Sequence, residues 1–182
     1  MPASPAAATI LDLLTGLRQY RQFTDDPVPD EVMTQLLEVA RWTGSSKNTQ
    51  PWEFIVVTDV DSRKALAEAG AFTQFLAGAP AMIVIVLDGA SPRSEAYDEG
   101  RVSERIMLAA SALGLGSGTG WFSTPDAKEK VRDLLGIPEE KDVWQALAFG
   151  TVDTARVTRP GVQGGRKPLS ELVSYERYGE RR

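Results

Sequence analysis

The chain reads as a layered α+β fold, and three observations carry that reading. Two helical patterns precede the first convincing strand, and the whole sequence offers only about four strands, so the repeating βαβ unit of a doubly wound sheet is absent. The run Met82-Ile83-Val84-Ile85-Val86-Leu87 has no polar face. Such a run is expected where a strand is buried on both sides, which places it at the sheet centre.

The elements follow in order. Ile10, Leu13, Leu14 and Leu17 recur at helical spacing, and the pattern stops before the connector Arg18 to Phe23. Pro29 opens a second helix whose apolar face is Val32, Met33, Leu36, Leu37 and Ala40, and Gly44 is placed to end it. Glu53 to Thr58, with β-branched Ile55, Val56 and Val57, is a strand. Asp61 is the expected cap of a short helix through Ala69, closed by Gly70. After the central strand, Ser94 to Leu113 is a long amphipathic helix with Val102, Ile106, Ala109, Ala110 and Leu113 on one side. Thr124-Pro125-Asp126 starts another helix, which Gly136 and Pro138 stop. Trp144 to Val152 reads as a further strand, Thr158 to Lys167 as irregular, and Leu169 to Tyr178 as a short helix.

Composition bounds the chemistry. With 182 residues, 42% of them hydrophobic, the chain suits one domain spanning 1–182. Met1 to Ala8 lack a basic segment, Asp12 interrupts the following apolar run, and the longest apolar stretch, Ala79 to Leu87, is too short to cross a bilayer. A soluble, cytoplasmic protein without membrane partners is the expectation. The sequence contains no cysteine and no histidine, which excludes disulfides, zinc clusters and Cys or His nucleophile systems. A carboxylate-only metal site or a Ser-Lys pair stays formally open, whereas electron transfer would need a borrowed cofactor.

The net charge of −5 argues against nucleic-acid binding, but it is unevenly spread. Asp153 to Arg182 holds seven basic residues against four acidic ones, leaving −8 on the remainder. Such a basic tail on an acidic body suits docking on a partner subunit or an anion site, although plain solvation is the commoner reason for such a run.

Three segments are candidate binding elements. Gly44-Ser45-Ser46-Lys47-Asn48-Thr49-Gln50-Pro51-Trp52 packs polar side chains between a helix and a strand. Ser45, Ser46, Asn48 and Gln50 match the donor and acceptor edge of a heterocycle, though loops also favour these residues for local bonding. Gly114 to Gly120 spells G-x-G-x-G-x-G after a helix, which fails the context of a dinucleotide fingerprint. It is either a flexible turn leaving that helix or a bare backbone that a flat ligand can approach. Arg18 and Arg21 on the connector, with Arg166 and Lys167 on the tail, would suit a phosphate if they converge; each charge-assisted bond contributes roughly 1.5–3 kcal/mol. Exposed arginines in weak surface pairs are the plainer alternative.

Taken together, these residues resemble the FMN-dependent nitroreductases. The likeness runs from Arg18-Gln19-Tyr20-Arg21-Gln22-Phe23 through Pro27-Val28-Pro29 and the helix Glu31 to Arg41 into Ser45 to Trp52 and its strand. It resumes at Ala79-Pro80, at Leu108 to Gly116 and at Arg166-Lys167-Pro168-Leu169. The N-x-Q-P-W segment is the most specific piece. Where the family often begins Arg-Arg-Ser-x-Arg, this chain has Leu17 at the first arginine and Gln19 at the serine.

The resemblance implies a central, mostly antiparallel sheet of about four strands flanked by helices, and an intimate homodimer with FMN at the subunit interface. It also implies that Arg18, Gln19, Arg21, Arg166 and Lys167 hold the phosphate and the N1/O2 side of the ring. Ser45, Ser46, Asn48 and Gln50 would reach the partner's FMN, and Gly118, Thr119 and Gly120 would border N5. The 153–182 tail would pack on the partner subunit. The implied reaction is ping-pong transfer from NADH or NADPH through flavin to a nitroarene, quinone or similar planar acceptor. No side-chain acid or base is called for; Arg21 is the candidate stabiliser of charge at N1/O2. Phe72, Phe75 and Trp121 are candidates to line the acceptor pocket by stacking, with core packing as their other role. A non-enzymatic FMN storage or redox-sensing protein, and a flavin-fragmenting enzyme of the same superfamily, are the alternatives.

Overall fold

A computed structural model describes residues 5–157 and 165–181. The sequence readings for Met1 to Ser4, for Thr158 to Gly164 and for Arg182 therefore lie outside the described residues. The helices are α1 (Pro5–Gly16), α2 (Asp30–Arg41), α3 (Val60–Ala69), α4 (Pro92–Ala112), α5 (Pro125–Leu135) and α6 (Leu169–Leu172), and the strands are β1 (Trp52–Val57), β2 (Ala81–Leu87), β3 (Gly116–Trp121) and β4 (Asp142–Gly150). Two short 3-10 turns, Ser46–Asn48 and Gln74–Gly78, complete the set.

The four strands form one sheet of order β1-β2-β4-β3, antiparallel at every pairing. Every residue of β2 is buried. Its alternating side chains feed two cores: Met82, Val84 and Val86 pack with Leu66, Leu76, Phe122 and Val131 of the α3/α5 layer. Ala81, Ile83, Ile85 and Leu87 pack with Met33, Leu36, Val102 and Ile106 of the α2/α4 layer. The continuous apolar run is thus the central strand of a three-layer α/β/α arrangement, as its composition demands.

A register shift between Ile85 and Val86 lets β4 carry one extra residue there. Val143 faces the α3/α5 core, and so do Ala146 and Ala148 beyond the bulge. Trp144 and Gln145, inside it, both line a groove on the α4 side. A bulge re-aims side chains in this way.

The fourth strand is the glycine run itself. Gly114 has φ 80° and ends α4, but Gly116 to Trp121 then pairs with β4, so the segment is an edge strand and not a flexible turn. Its free edge is covered by the connector after α1. Gln19 bridges Ser117 in parallel, Tyr20 N–H donates to the Ser117 carbonyl at 2.7 Å, and Phe23 bridges Val152. Glycine is needed because a Cβ at Gly118 would collide with the Tyr20 carbonyl oxygen and one at Gly116 with the Val152 side chain.

Several boundaries differ from the sequence reading. The cap of α3 is Asp59, whose carboxylate accepts the Ser62 N–H at 2.8 Å and the Ser62 hydroxyl at 2.9 Å, so Asp61 lies inside the first turn. Both aspartates suit the positive end of the helix by type, and only geometry chooses between them. Helix α4 begins at Pro92, where Glu95 turns back to accept the Ser91 and Gly89 N–H groups at 2.7 and 2.9 Å. Leu113 caps that helix partly exposed, outside its buried stripe. Strand β4 starts and ends two residues earlier than expected, and α6 stops at Leu172 instead of Tyr178.

Candidate active site

The connector pinned to β3 fixes the placement of three predicted residues. Gln19 turns its side-chain oxygen to the Thr119 N–H at 3.2 Å. Arg21 lays its guanidinium over the Phe75 ring, 5.3 Å from the centroid. Arg18 is held against the end of α1, where its Nη1 donates to the Thr15 and Leu17 carbonyls at 2.9 and 2.8 Å.

Two adjoining cavities, each of about 480 Å³, share Gln19, Glu104 and Met107 and so form one groove between α4 and the β3 edge. One end is cationic, with Arg18 and Arg166 on its wall. Toward the other end lie Arg21, Thr119, Trp121, Trp144, Glu99 and Gln145. Trp121 and Trp144 meet edge to face with centroids 6.2 Å apart. The groove thus pairs a cationic end with an aromatic wall and a few convergent polar groups, on the scale of a small-ligand site.

The other predicted residues separate into groups. Lys167 is exposed and does not line the groove. Gly118 and Gly120 turn their bare Cα positions toward Tyr20, Phe75 and Leu76, so their lack of a side chain serves packing, while Thr119 between them lines the groove. Phe75 is half-buried and supports Arg21, and Phe72 is 76% exposed; neither lines the groove, whereas Trp121 does.

The polar loop is not brought to the arginines within one chain. Ser46 lines a shallow hollow with Arg93 and Arg101, and Gln50 another with Trp52 and Phe54. The loop is nonetheless tightly built: Ser45 Oγ accepts the Gln50 N–H at 2.8 Å, and the buried Asp98 carboxylate accepts the Ser46 N–H at 2.8 Å. Lys47, Asn48 and Gln50 have φ of 52°, 56° and 49°, the left-handed region that costs a non-glycine residue about 1–2 kcal/mol. Strain of this kind collects at ligand-holding segments.

Glu99 and Gln145 are the site residues that sequence reading missed. Glu99 is 2% exposed and its Oε1 has no hydrogen-bond partner among the described residues. Burial pushes its carboxyl up to about 7, against the opposing effect of the neighbouring Gln145 side chain. The signal was present in the helix period: Glu95, Asp98, Glu99, Val102 and Ile106 form one buried stripe, so the apolar face of α4 runs on into acids. Among the described residues no group of three His, Cys, Asp or Glu could hold a metal ion, and no helix is long and apolar enough to cross a membrane.

Fold and groove together define a small α+β protein with a groove along one sheet edge, cationic at Arg18 and Arg166 and walled by Trp121 and Trp144. The chain belongs to the Nitroreductase family, which it matches over residues 15–71 and 70–151. An Archaeoglobus fulgidus protein provisionally named NADH dehydrogenase/NAD(P)H nitroreductase is 34% identical over 148 residues, covering 77% of this chain and 83% of its own. The structure of an FMN-dependent nitroreductase from Clostridium difficile R20291 superposes with a TM-score of 0.73 at 28% identity, covering 79% of this chain and 87% of the other. The 5,6-dimethylbenzimidazole synthase of Rhodospirillum rubrum is 26% identical over 175 residues, covering 79% of this chain and 80% of its own.

Proposed function

We propose that this protein is an FMN-dependent NAD(P)H oxidoreductase acting on nitroaromatic, quinone or similar planar acceptors. The observation that carries the proposal is the groove on a Nitroreductase-family fold, cationic at Arg18 and Arg166 and continuous through Gln19 to Arg21. These residues fit FMN: the guanidinium pair suits the phosphate, and the tryptophan wall with the glutamine amides suits a flat ring that both donates and accepts hydrogen bonds. When bound, FMN supplies the redox chemistry, accepting hydride from NADH or NADPH and passing it on in alternating half-reactions.

The chain's own contribution is binding, orientation and charge. Arg18 and Arg166 hold the phosphate. Gln19 is fixed through the Thr119 N–H, leaving its amide NH2 for the ring. Arg21, braced on Phe75, places a positive charge where the ring gains electron density. Thr119, with Gly118 and Gly120 behind it, forms the backbone edge beside the reacting position.

The working unit is a homodimer in which Ser45, Ser46, Asn48 and Gln50 complete the partner's site. Supporting this, Ile10, Leu11 and Leu14 of α1 and Leu169 and Leu172 of α6 stand exposed on the single chain. The 153–182 tail packs on that partner; its first turn is tied to the connector through Arg156, which donates to the Phe23 carbonyl at 2.6 Å.

The test is direct. The purified protein is expected to carry or take up FMN, bleach anaerobically with NADH or NADPH, and regain colour with a nitroarene or quinone over many cycles. A protein unable to take up FMN overturns the reading. Irreversible flavin loss in air would instead indicate flavin fragmentation, the reading favoured by the likeness to the dimethylbenzimidazole synthase.

A further inference from the structure

Glu99 is a buried acid that the proposed reaction does not use. It enters the groove from α4 and is met there by Gln145, which the β4 bulge turns to the same face. Trp121 lies opposite Gln145 in the β3–β4 register, so the acid, the amide and the indole close the same end of the groove. The cationic end, with Arg18 and Arg166, is elsewhere along it. A ligand whose phosphate sits on those arginines would extend its ring toward Glu99.

A buried carboxyl oxygen without a partner costs about 1–3 kcal/mol, and ionising it there costs more. Such an atom, on a residue in the wall of a cavity, is accounted for if a proton completes it. We propose that Glu99 is the proton-holding residue of the groove, taking up a proton from water when the cofactor bound there gains electrons. This rests on the FMN reading. The balance is simple: the hydride brings two electrons and one proton to the cofactor and adds one negative charge to the groove. The Glu99 carboxylate then binds a second proton from solvent, so one charge is removed as one is added.

The surroundings allow this near neutrality. Burial first, and then Asp142, raise the carboxyl to about 7 against the lowering effects of Gln145 and Lys128. Lys128 is itself engaged with Asp142 at 2.8 Å. From the other walls, Arg21 on the connector and Glu104 on α4 line the same groove. On its own helix, the neighbouring Asp98 is paired with Arg101 at 3.3 Å. New negative charge in the groove raises the affinity of Glu99 for a proton.

The experiment is a spectroelectrochemical titration of the FMN-loaded protein across the pH range around 7, with Glu99→Gln and Gln145→Leu in parallel. In the wild type, two electrons carry one proton below the break and two above it, up to the higher value that Glu99 has in the reduced state, so the pH slope of the potential doubles on passing about 7. Glu99→Gln is expected to keep the shallow slope throughout. Gln145→Leu, which removes the polar side chain that lowers the carboxyl, is expected to move the break to higher pH. Retained FMN with parallel lines for wild type and Glu99→Gln overturns the role of Glu99 and leaves the cofactor reading standing. A chain that takes up no FMN overturns both.

Discussion

The Ser46 backbone N–H donates to the Asp98 carboxylate at 2.8 Å, joining the polar loop to the middle of α4 across 52 residues of chain. Asp98 is fully buried, and its other tie is to Arg101, whose guanidinium also lies 3.1 Å from where a Gly44 side chain would begin. One carboxylate thereby holds the loop that carries three left-handed, non-glycine residues.

Replacing Asp98 by Ala should therefore cost more than a surface substitution. The loop N–H loses its acceptor, and a buried unsatisfied group costs about 1–3 kcal/mol. Chemical denaturation is expected to show a loss in that range, and FMN affinity to fall with it even though Asp98 does not line the groove. Unchanged stability would mean that the loop is held by its internal bonds alone.

Gly118 and Gly120 should respond differently to Ala. At Gly118 the added methyl meets the Tyr20 carbonyl oxygen, a backbone atom of a residue whose own N–H is bonded to the Ser117 carbonyl. Relief requires the connector to lift from β3, so destabilisation of about 1–3 kcal/mol is expected together with weaker FMN binding. At Gly120 the neighbours are Leu76 side-chain atoms at 3.0–3.2 Å, which can shift, and a smaller loss is expected. Urea midpoints of the two variants compare them directly.

These glycines also show where the sequence was legible. The β2 run, with no polar face, the helical periods of α2 and α4, and the start and stop residues of α5 placed the layers, because burial on a given period leaves few alternatives. The glycine run was ambiguous because its reason for lacking side chains lies on another segment, the connector around Tyr20, which spacing along the chain does not reveal. Arg18, Gln19, Arg21 and Arg166 were found through motif likeness, and the fold brings them to one groove. Glu99 and Gln145 were not found: one needed the buried stripe of α4 followed past Val102, and the other depends on a bulge that no composition announces. The polar loop was found, yet in a single chain it stands apart from the groove.

Glu99 makes stability depend on pH. Its carboxyl titrates from a reference near 4.5 to about 7 in the folded chain, so as pH rises the unfolded chain loses this proton first. Stability is therefore expected to fall between those two values and to level off above the upper one, by about 3 kcal/mol at most. Unfolding measured at both ends of that window should show the loss in the wild type and not in Glu99→Gln. An equal fall in both proteins would assign it to other groups.

Arg18 and Arg166 should separate binding from folding. Both are exposed, and neither has an ion-pair partner closer than 4 Å among the described residues, so Ala at either position is expected to leave the unfolding midpoint almost unchanged. Arg18 gives up only bonds to the Thr15 and Leu17 carbonyls at an exposed helix end, where water can replace them. If both hold the FMN phosphate, each removes a charge-assisted interaction of about 1.5–3 kcal/mol, which weakens FMN binding roughly tenfold to a hundredfold. Groups acting on one phosphate are coupled, so the double variant should lose less than the sum of the single losses. Riboflavin, which lacks the phosphate, provides the control: its affinity should be the same in wild type and variants. Equal weakening for riboflavin and FMN would remove these arginines from the phosphate and place the anionic end of the ligand elsewhere.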